Sequence, residues 1–315
     1  MSDKVNRKLL GLKKADVADD GSCSYKGLLY KCSTNAEGTS FLKLSEGIGP
    51  NDTTWMGDWE LEYPDDYPSE KAWQTLYDFL RFTSNDSISA EQMLAELPNY
   101  VFEDALNRYL LFIMAVRASD NCVHNSYLSV KNVSKDKKLW ITPWDLDGTF
   151  GRDGWATLVY TDYATDILWG NDFMTGLATN DSIKANLKPL WDEWREKTFA
   201  VSEVEKRIDD YAYLLETSGA WARELTLWQD YYSPEIDRQL TLCDTPQTES
   251  DYMKEWYEKR FDVMDQYFTA AEAGIHEIKL NDNSHARTYN IQGITVGDTY
   301  RGLIIKNGRK EVRIN

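Results

Sequence analysis

The sequence predicts an α+β chain, on three observations. Short β-like runs broken by turn residues fill its first part, an apolar period of three and four takes over from Ser69, and short β runs separated by Asn-Gly and Gly-Asp return after Gly274.

In the first part, "KGLLYKC" (Lys26 to Cys32) and "FLKL" (Phe41 to Leu44), with "NAEGTS" between them, read as strands of a small sheet. Ser69 followed by Glu70, with Trp73, Leu76, Tyr77 and Leu80 at helical spacing, marks a capped amphipathic helix. From Tyr100 to Ala118 the apolar positions Phe102, Ala105, Leu106, Tyr109, Leu110, Ile113 and Val116 cover so broad a surface that this helix belongs deep in the core. "SYLSV" and "LWIT" then read as a hairpin reversed by the polar "KNVSKDKK". Beyond Gly151 the spacing predicts helices over Ser182 to Glu196, Ser202 to Glu216, Ala220 to Gln229, Pro234 to Leu242 and Asp251 to Ala273. Leu187, Leu190, Trp191 and Trp194, and Trp256, Phe261, Met264 and Phe268, read as core or interface on those helices. The runs "HEIKL", "TYNIQGITV" and "RGLIIKNGRKEVRIN" form a separate β tail.

Composition narrows the function classes. With 12 Trp, 19 Tyr and 10 Phe, the 315 residues can fill a substantial core, so the chain as a whole is not disordered. A net charge of −17 argues against nucleic acid and against an anionic membrane surface, which need clustered Lys and Arg. The longest apolar run, "YLLFIMAV", falls far short of the ~20 residues of a membrane span. The N-terminal "MSDKVNRKLLGLKK" has no apolar core of signal-peptide length. Cys23, Cys32, Cys122 and Cys243 lack C-x-x-C and zinc spacing, and only 3 His are available, which argues against a structural zinc site. Two readings stay open for Cys23 and Cys32: a pair across a hairpin, or buried free thiols.

The chemistry concentrates between Ala118 and Gly151, in "ASDNCVHNSYLSVKNVSKDKKLWITPWDLDGTFG". A long buried helix ends, Asp120 follows, Asn125 comes after a short loop, a hairpin intervenes, and Asp145 stands at its end. Protein kinases place a catalytic Asp, a metal-binding Asn and a metal-binding Asp in this order. Phosphoryl transfer needs one carboxylate on the acceptor hydroxyl and oxygen ligands close by for a divalent cation. His124 reads as a hydrogen-bonded loop residue beside that site. The string "DLDGT" also opens dehalogenase-type phosphatases, but there it follows a buried parallel strand in alternating βα units. Here Pro143 and Trp144 interrupt the strand, helices follow, and "VGDTY" is a poor acidic motif. An EF-hand is excluded because Gly148 falls at loop position four rather than six.

These residues resemble a known family. "SDNCVHNSYLSV" followed by "LWITPWDLDGTFG" is similar to the CotH kinase family of atypical secreted or spore-coat protein kinases, and "KVNRKLLGLKK" and "KGLLYKCS" resemble the segments that precede its C-lobe. The resemblance implies an atypical protein-kinase-like fold: a residual N-lobe sheet over residues 1–48, a mainly helical C-lobe over 49–273 and the β tail over 274–315. It implies Asp120 as the catalytic-loop aspartate, Asn125 and Asp145 as cofactor-binding metal ligands, and Asp147 as the second acidic residue at the metal. The expected cofactors are ATP and Mg²⁺ or Mn²⁺, and the expected partner is a protein carrying Ser or Thr.

The family's phosphate-covering strands and their lysine begin upstream of "KVNRKLL", so Lys31 and Lys13 are the candidates for a phosphate contact within this chain. The tail resembles C-terminal segments of secreted Bacteroidetes-type proteins. That implies an extracellular or cell-surface protein whose signal peptide lies upstream. The rival reading is a non-catalytic surface module that presents Trp55, Trp59, Trp155 and Trp169 to a glycan or protein.

Overall fold

The computed structural model describes residues 4–32, 44–65, 70–85, 87–122, 124–151, 167–168, 172–227, 246–272, 288–290, 302–306 and 309–313. It falls into two compact units, Met1–Gly274 and Ile275–Asn315. The class is α+β, as the sequence predicts.

The first unit opens with a ribbon of β1 (Asp16–Val17) and β2 (Cys23–Ser24), then β3 (Leu28–Cys32), α1 (Thr53–Met56), β4 (Trp59–Tyr63), α2 (Glu70–Thr83) and α3 (Ala90–Glu96). A 3₁₀ turn at Leu97–Asn99 leads into α4 (Glu103–Val116), and a second at Asp120–Cys122 leads into β5 (Ser126–Val130) and β6 (Trp140–Pro143). Helices α5 (Asp172–Thr179), α6 (Asp181–Trp194), α7 (Val201–Thr217), α8 (Ala220–Leu227) and α9 (Pro246–Glu272) follow. The second unit pairs β7 (Thr288–Asn290), β8 (Gly302–Lys306) and β9 (Arg309–Arg313) as an antiparallel meander.

Strands β4, β3, β5 and β6 form one antiparallel sheet in that order, so the N-terminal strand pairs directly with the predicted hairpin. Strand side chains alternate between faces, and here each face has its own core. Leu28, Tyr30, Cys32, Leu128, Val130 and Trp59 join the main core beneath α2 and α4, where the Tyr30 hydroxyl donates to the Ala72 carbonyl of α2. Leu29 and Tyr127 face the other way and are covered by Val5 and Leu12 of the N-terminal segment. That segment comes so close that a Cβ on Gly27 would stand 2.6 Å from the Lys13 carbonyl oxygen. Only glycine leaves room for the bond that its own N–H makes to that oxygen, 2.9 Å.

Helix α4 is buried along most of its length, matching the breadth of its apolar pattern. It packs with α6 and α9, where Trp191 stacks on Phe268 with ring centroids 6.0 Å apart and donates its Nε1–H to Asp265 at 2.7 Å. The fully buried Arg260 of α9 reaches the other end of α4 and donates to the carbonyls of Met114 and Ile167.

Several elements differ from the sequence reading. Helix α3 carries a full capping box, Ser89 with Gln92, but meets the core only through the partly buried Met93 and Leu94, too short a stripe to read. Helix α5 holds Gly176 within only eight residues, which hides it from a periodicity search. Strand β4, "WELEY", alternates as a half-buried strand should; Trp59, expected to present its ring at the surface in the binding-module reading, is instead buried in the core. Helix α9 starts at Pro246 rather than Asp251, because proline suits the first turn, where its missing N–H has no helical partner. Cys23 and Cys32 lie on strands of different sheets and no disulfide joins them. Ser69, Phe41 to Lys43, the predicted helix Pro234 to Leu242, Cys243, "HEIKL", Trp155 and Trp169 lie outside the described residues, as does the Trp55 side chain.

Arg260→Met should remove charge-assisted donors from two buried carbonyls while keeping the apolar stem, and lower unfolding stability by roughly 2–4 kcal/mol in denaturant titration. A loss within experimental error would show that the guanidinium bonds hold nothing the stem does not.

Candidate functional site

The site grows from the C-terminal end of α4, whose last carbonyls have no partner within the helix. The helix stops because Arg117 adopts a left-handed conformation, φ 53°, and the Ala118 N–H turns back to the Ile113 carbonyl at 2.8 Å. Asp120 opens the 3₁₀ turn that follows, and the Tyr109 hydroxyl of α4 donates to the Asn121 carbonyl at 2.7 Å, pinning that turn to the helix.

Asn121 is buried, and its side-chain amide makes the key junction. Its Nδ2 donates to the carbonyls of Asn125, at 2.6 Å, and Trp144, at 3.0 Å. The Trp144 N–H donates to the same Asn125 carbonyl at 3.0 Å. With Ser126 opposite Pro143 in the ladder, these bonds extend the β5–β6 pairing and set Asn125 beside the residue that precedes Asp145. Main-chain oxygen makes these bonds, so the Asn125 carboxamide is not consumed by them.

Past Trp144 the chain bends sharply. Asp147 Oδ1 accepts the Gly148 N–H at 2.9 Å, the Thr149 hydroxyl donates to the Leu146 carbonyl at 2.7 Å, and the Phe150 N–H donates to the Val116 carbonyl at 3.1 Å. The motif thus ends where the Asp120 loop began, on α4. Among the described residues, the non-glycine positions with positive φ are Arg117, Asn125, Asp145 and Phe150, all within this one stretch. Asn and Asp tolerate that region; Arg and Phe do so at a cost that the surrounding bonds must cover. The Phe150 ring packs on Trp256 and Tyr257 of α9, with centroids 5.6 and 6.0 Å away.

The electrostatics centre on Asp145. Burial, and then the neighbouring Asp147 charge, push its pKa above the usual aspartate value, while His124 and Lys31 pull it down. His124 also lies 4.0 Å from the Asp120 carboxylate, Nε2 to Oδ2, so one imidazole adjoins both loop acids. Lys31 of β3 sits 5.0 Å above the Trp144 ring and 3.4 Å from Glu60 Oε2. Lys13, the other lysine singled out, instead contributes its charge at Asp16 and its main chain to the sheet's cover.

Among the described residues no group of three or more His, Cys, Asp or Glu is placed to hold a metal ion by itself. The loop offers a different donor set: two neighbouring carboxylates, Asp145 and Asp147, and the Asn125 carboxamide. Such a set suits a divalent ion that completes its coordination with phosphate oxygens. Burial first, and then the Asp147 charge, disfavour the ionised form of Asp145, and a cation would offset both, so the donor types present fit a divalent ion. The phosphatase arrangement does not fit, because Asp145 follows an edge strand of an antiparallel sheet.

Sequence reasoning singled out the acids and missed the residues that hold them. Asn121 stood beside Asp120 as an ordinary turn asparagine, and Arg260 lies 146 positions from the carbonyl it binds. No local pattern marks either one.

A group whose pKa is raised on folding is less stable charged in the fold than in the unfolded chain. Its ionised form therefore subtracts stability once pH rises through the folded pKa. In metal-chelated protein near neutral pH, Asp145→Asn should raise the melting temperature. A lower melting temperature would mean that the carboxylate makes bonds the loop needs.

A family model described as CotH kinase protein matches residues 4–264 of the 315-residue chain. A search of curated proteins returns no match.

Proposed function

This chain belongs to the CotH kinase family, with that family's kinase-like α+β fold, and on that premise we propose that it transfers the γ-phosphoryl group of ATP to a Ser or Thr hydroxyl of a protein substrate. The observation that carries the proposal is the junction at Asn121, which gathers Asp120, Asn125 and Asp145 at one end of the β5–β6 hairpin.

The roles follow from position. Asp120, on the turn leaving α4, accepts the proton of the acceptor hydroxyl as its oxygen forms a bond to the γ-phosphorus and the bond to the ADP oxygen breaks. Asn125 and Asp145 would hold the divalent cation, with Asp147 as a second ligand or an orienting neighbour. A bound Mg²⁺ or Mn²⁺ supplies charge neutralisation for the phosphate oxygens. Lys31, which lies over the Trp144 ring, pairs with Glu60 and acts on Asp145, is the candidate for the phosphate contact.

Two substitutions separate these roles. Asp120→Asn should leave Mg²⁺-dependent ATP binding intact in calorimetric titration and lower the transfer rate by roughly 10²–10⁴-fold, the usual worth of a positioned acid or base. Asp145→Asn should abolish the metal-dependent part of binding. Full metal-dependent binding by Asp145→Asn would sink this reading, and a hydroxylamine-sensitive phosphoryl group on Asp145 would replace it with aspartyl-phosphate chemistry.

We also propose that the protein acts outside the cell or at its surface and that the β7–β9 tail serves export or attachment. The support is the tail's sequence resemblance and its compactness as a unit of its own. Deleting residues 274–315 should move the protein from the surface or medium fraction into the cell while the retained chain keeps its transfer rate. Normal export of the shortened chain would overturn the assignment.

A further inference from the structure

His124 is a residue that the phosphoryl-transfer reading does not use, yet its ring reaches the Asp120 carboxylate and acts on Asp145. Its backbone N–H donates to the Asp120 carbonyl at 3.0 Å, closing a turn from Asp120 to His124. The next residue, Asn125, is fixed by a left-handed φ of 53° and by the two donors on its carbonyl. The ring therefore leaves a backbone constrained on both sides. Its Nε2 lies 4.0 Å from Asp120 Oδ2, and its Nδ1 is buried with no hydrogen-bond partner among the described residues.

The unpartnered Nδ1 decides the tautomer. A neutral imidazole carries one N–H and one bare lone pair. Placing the proton on Nδ1 would bury an unpaired donor and aim a lone pair at a carboxylate. Placing it on Nε2 aims the N–H at Asp120 and leaves only a lone pair without a partner, which costs less. At 4.0 Å the contact is an ion-pair distance rather than a hydrogen bond, and such contacts shorten when a site takes up its substrate.

We propose that His124 is a positioning residue for Asp120: its Nε2–H orients the Asp120 carboxylate and keeps it turned toward the acceptor side of the loop, apart from Asp145 and Asp147. This rests on the phosphoryl-transfer reading, in which Asp120 must receive a proton while the other two acids serve the cation. Removing the imidazole donor would take away this orienting contact without touching the groups that hold nucleotide.

The test uses the full chain and two variants of similar bulk. His124→Phe fills the space without a donor; His124→Gln returns an N–H close to the place of Nε2. His124→Phe should lower kcat by about 10–100-fold, the usual range for a residue that orients a functional group, with KM for ATP unchanged. His124→Gln should recover most of that loss. Wild-type kcat in His124→Phe, or equal impairment of the two variants, would overturn the proposal.

A second readout does not depend on activity. With 3 His in the chain, long-range proton–nitrogen NMR can assign each ring. His124 should show the Nε2–H tautomer, with its Nε2 resonance displaced in Asp120→Asn. An Nδ1–H tautomer, or an unmoved resonance in Asp120→Asn, overturns the placement even in an active kinase. The expected spectrum in a protein that transfers no phosphate supports the placement and removes the phosphoryl-transfer reading instead.

Discussion

The structure depends on how the open C-terminal end of α4 is closed. A helix leaves its last carbonyls without internal donors, and a buried helix cannot give them to water. Here three of them become attachment points. The Ile113 carbonyl takes the Ala118 N–H, the Met114 carbonyl takes Arg117 and the buried Arg260, and the Val116 carbonyl takes the Phe150 N–H. One helix end thereby anchors the start of the Asp120 loop, the end of the acidic motif and the long helix α9. The rigidity of the site is a consequence of satisfying backbone groups, before any functional side chain is considered.

The four-stranded sheet supplies the second constraint. Because β3 and β5 are buried on both faces, they need a cover on the side away from the main core, and the N-terminal segment provides it through Val5 and Leu12. The cover reaches Leu29 and Tyr127. Farther along the same face, the strands present Lys31 and Glu60, which pair across β3 and β4. Burial, followed by the Glu62 and Glu60 charges, pushes the Tyr127 pKa up to about 12. One face of one sheet thus holds an apolar patch that fixes the N-terminus and a charged patch beside Trp144, and the change from one to the other occurs within β3.

Much of this was legible in the sequence, for identifiable reasons. The breadth of the apolar pattern on α4 announced its burial, because helical periodicity reports directly on which face meets the core, and two β-like runs, "SYLSV" and "LWIT", around a polar turn announced the β5–β6 hairpin. The order of Asp120, Asn125 and Asp145 was legible because a loop, a hairpin and a bend are all short-range structures. What stayed hidden depends on long-range partners or on weak apolar contrast. Arg260 reads as one more basic residue on a charged helix until Met114 is found against it. Trp59 looked available for binding because a lone aromatic carries no sign of which side of a strand will be covered. Helix α3 has a clear start signal but meets the core only through the partly buried Met93 and Leu94, too short a stripe for periodicity to identify it.

The same division of labour explains why the acids can sit where they do. Asp145 is crowded by Asp147 and adopts a left-handed backbone, two unfavourable conditions at one residue. Neither is relieved locally. They persist because Trp144 on one side is tied to Asn125 and Asn121, and Phe150 on the other is tied to α4 and packed on α9. Strain of this kind is stable only when the flanking structure has no cheaper arrangement, so the neutral amide of Asn121 matters as much as the charged residues around it. Its two acceptors, the carbonyls of Asn125 and Trp144, belong to opposite strands of the hairpin. The placement of Asp145 relative to Asp120 is therefore tied to an uncharged group whose bonds do not vary with pH.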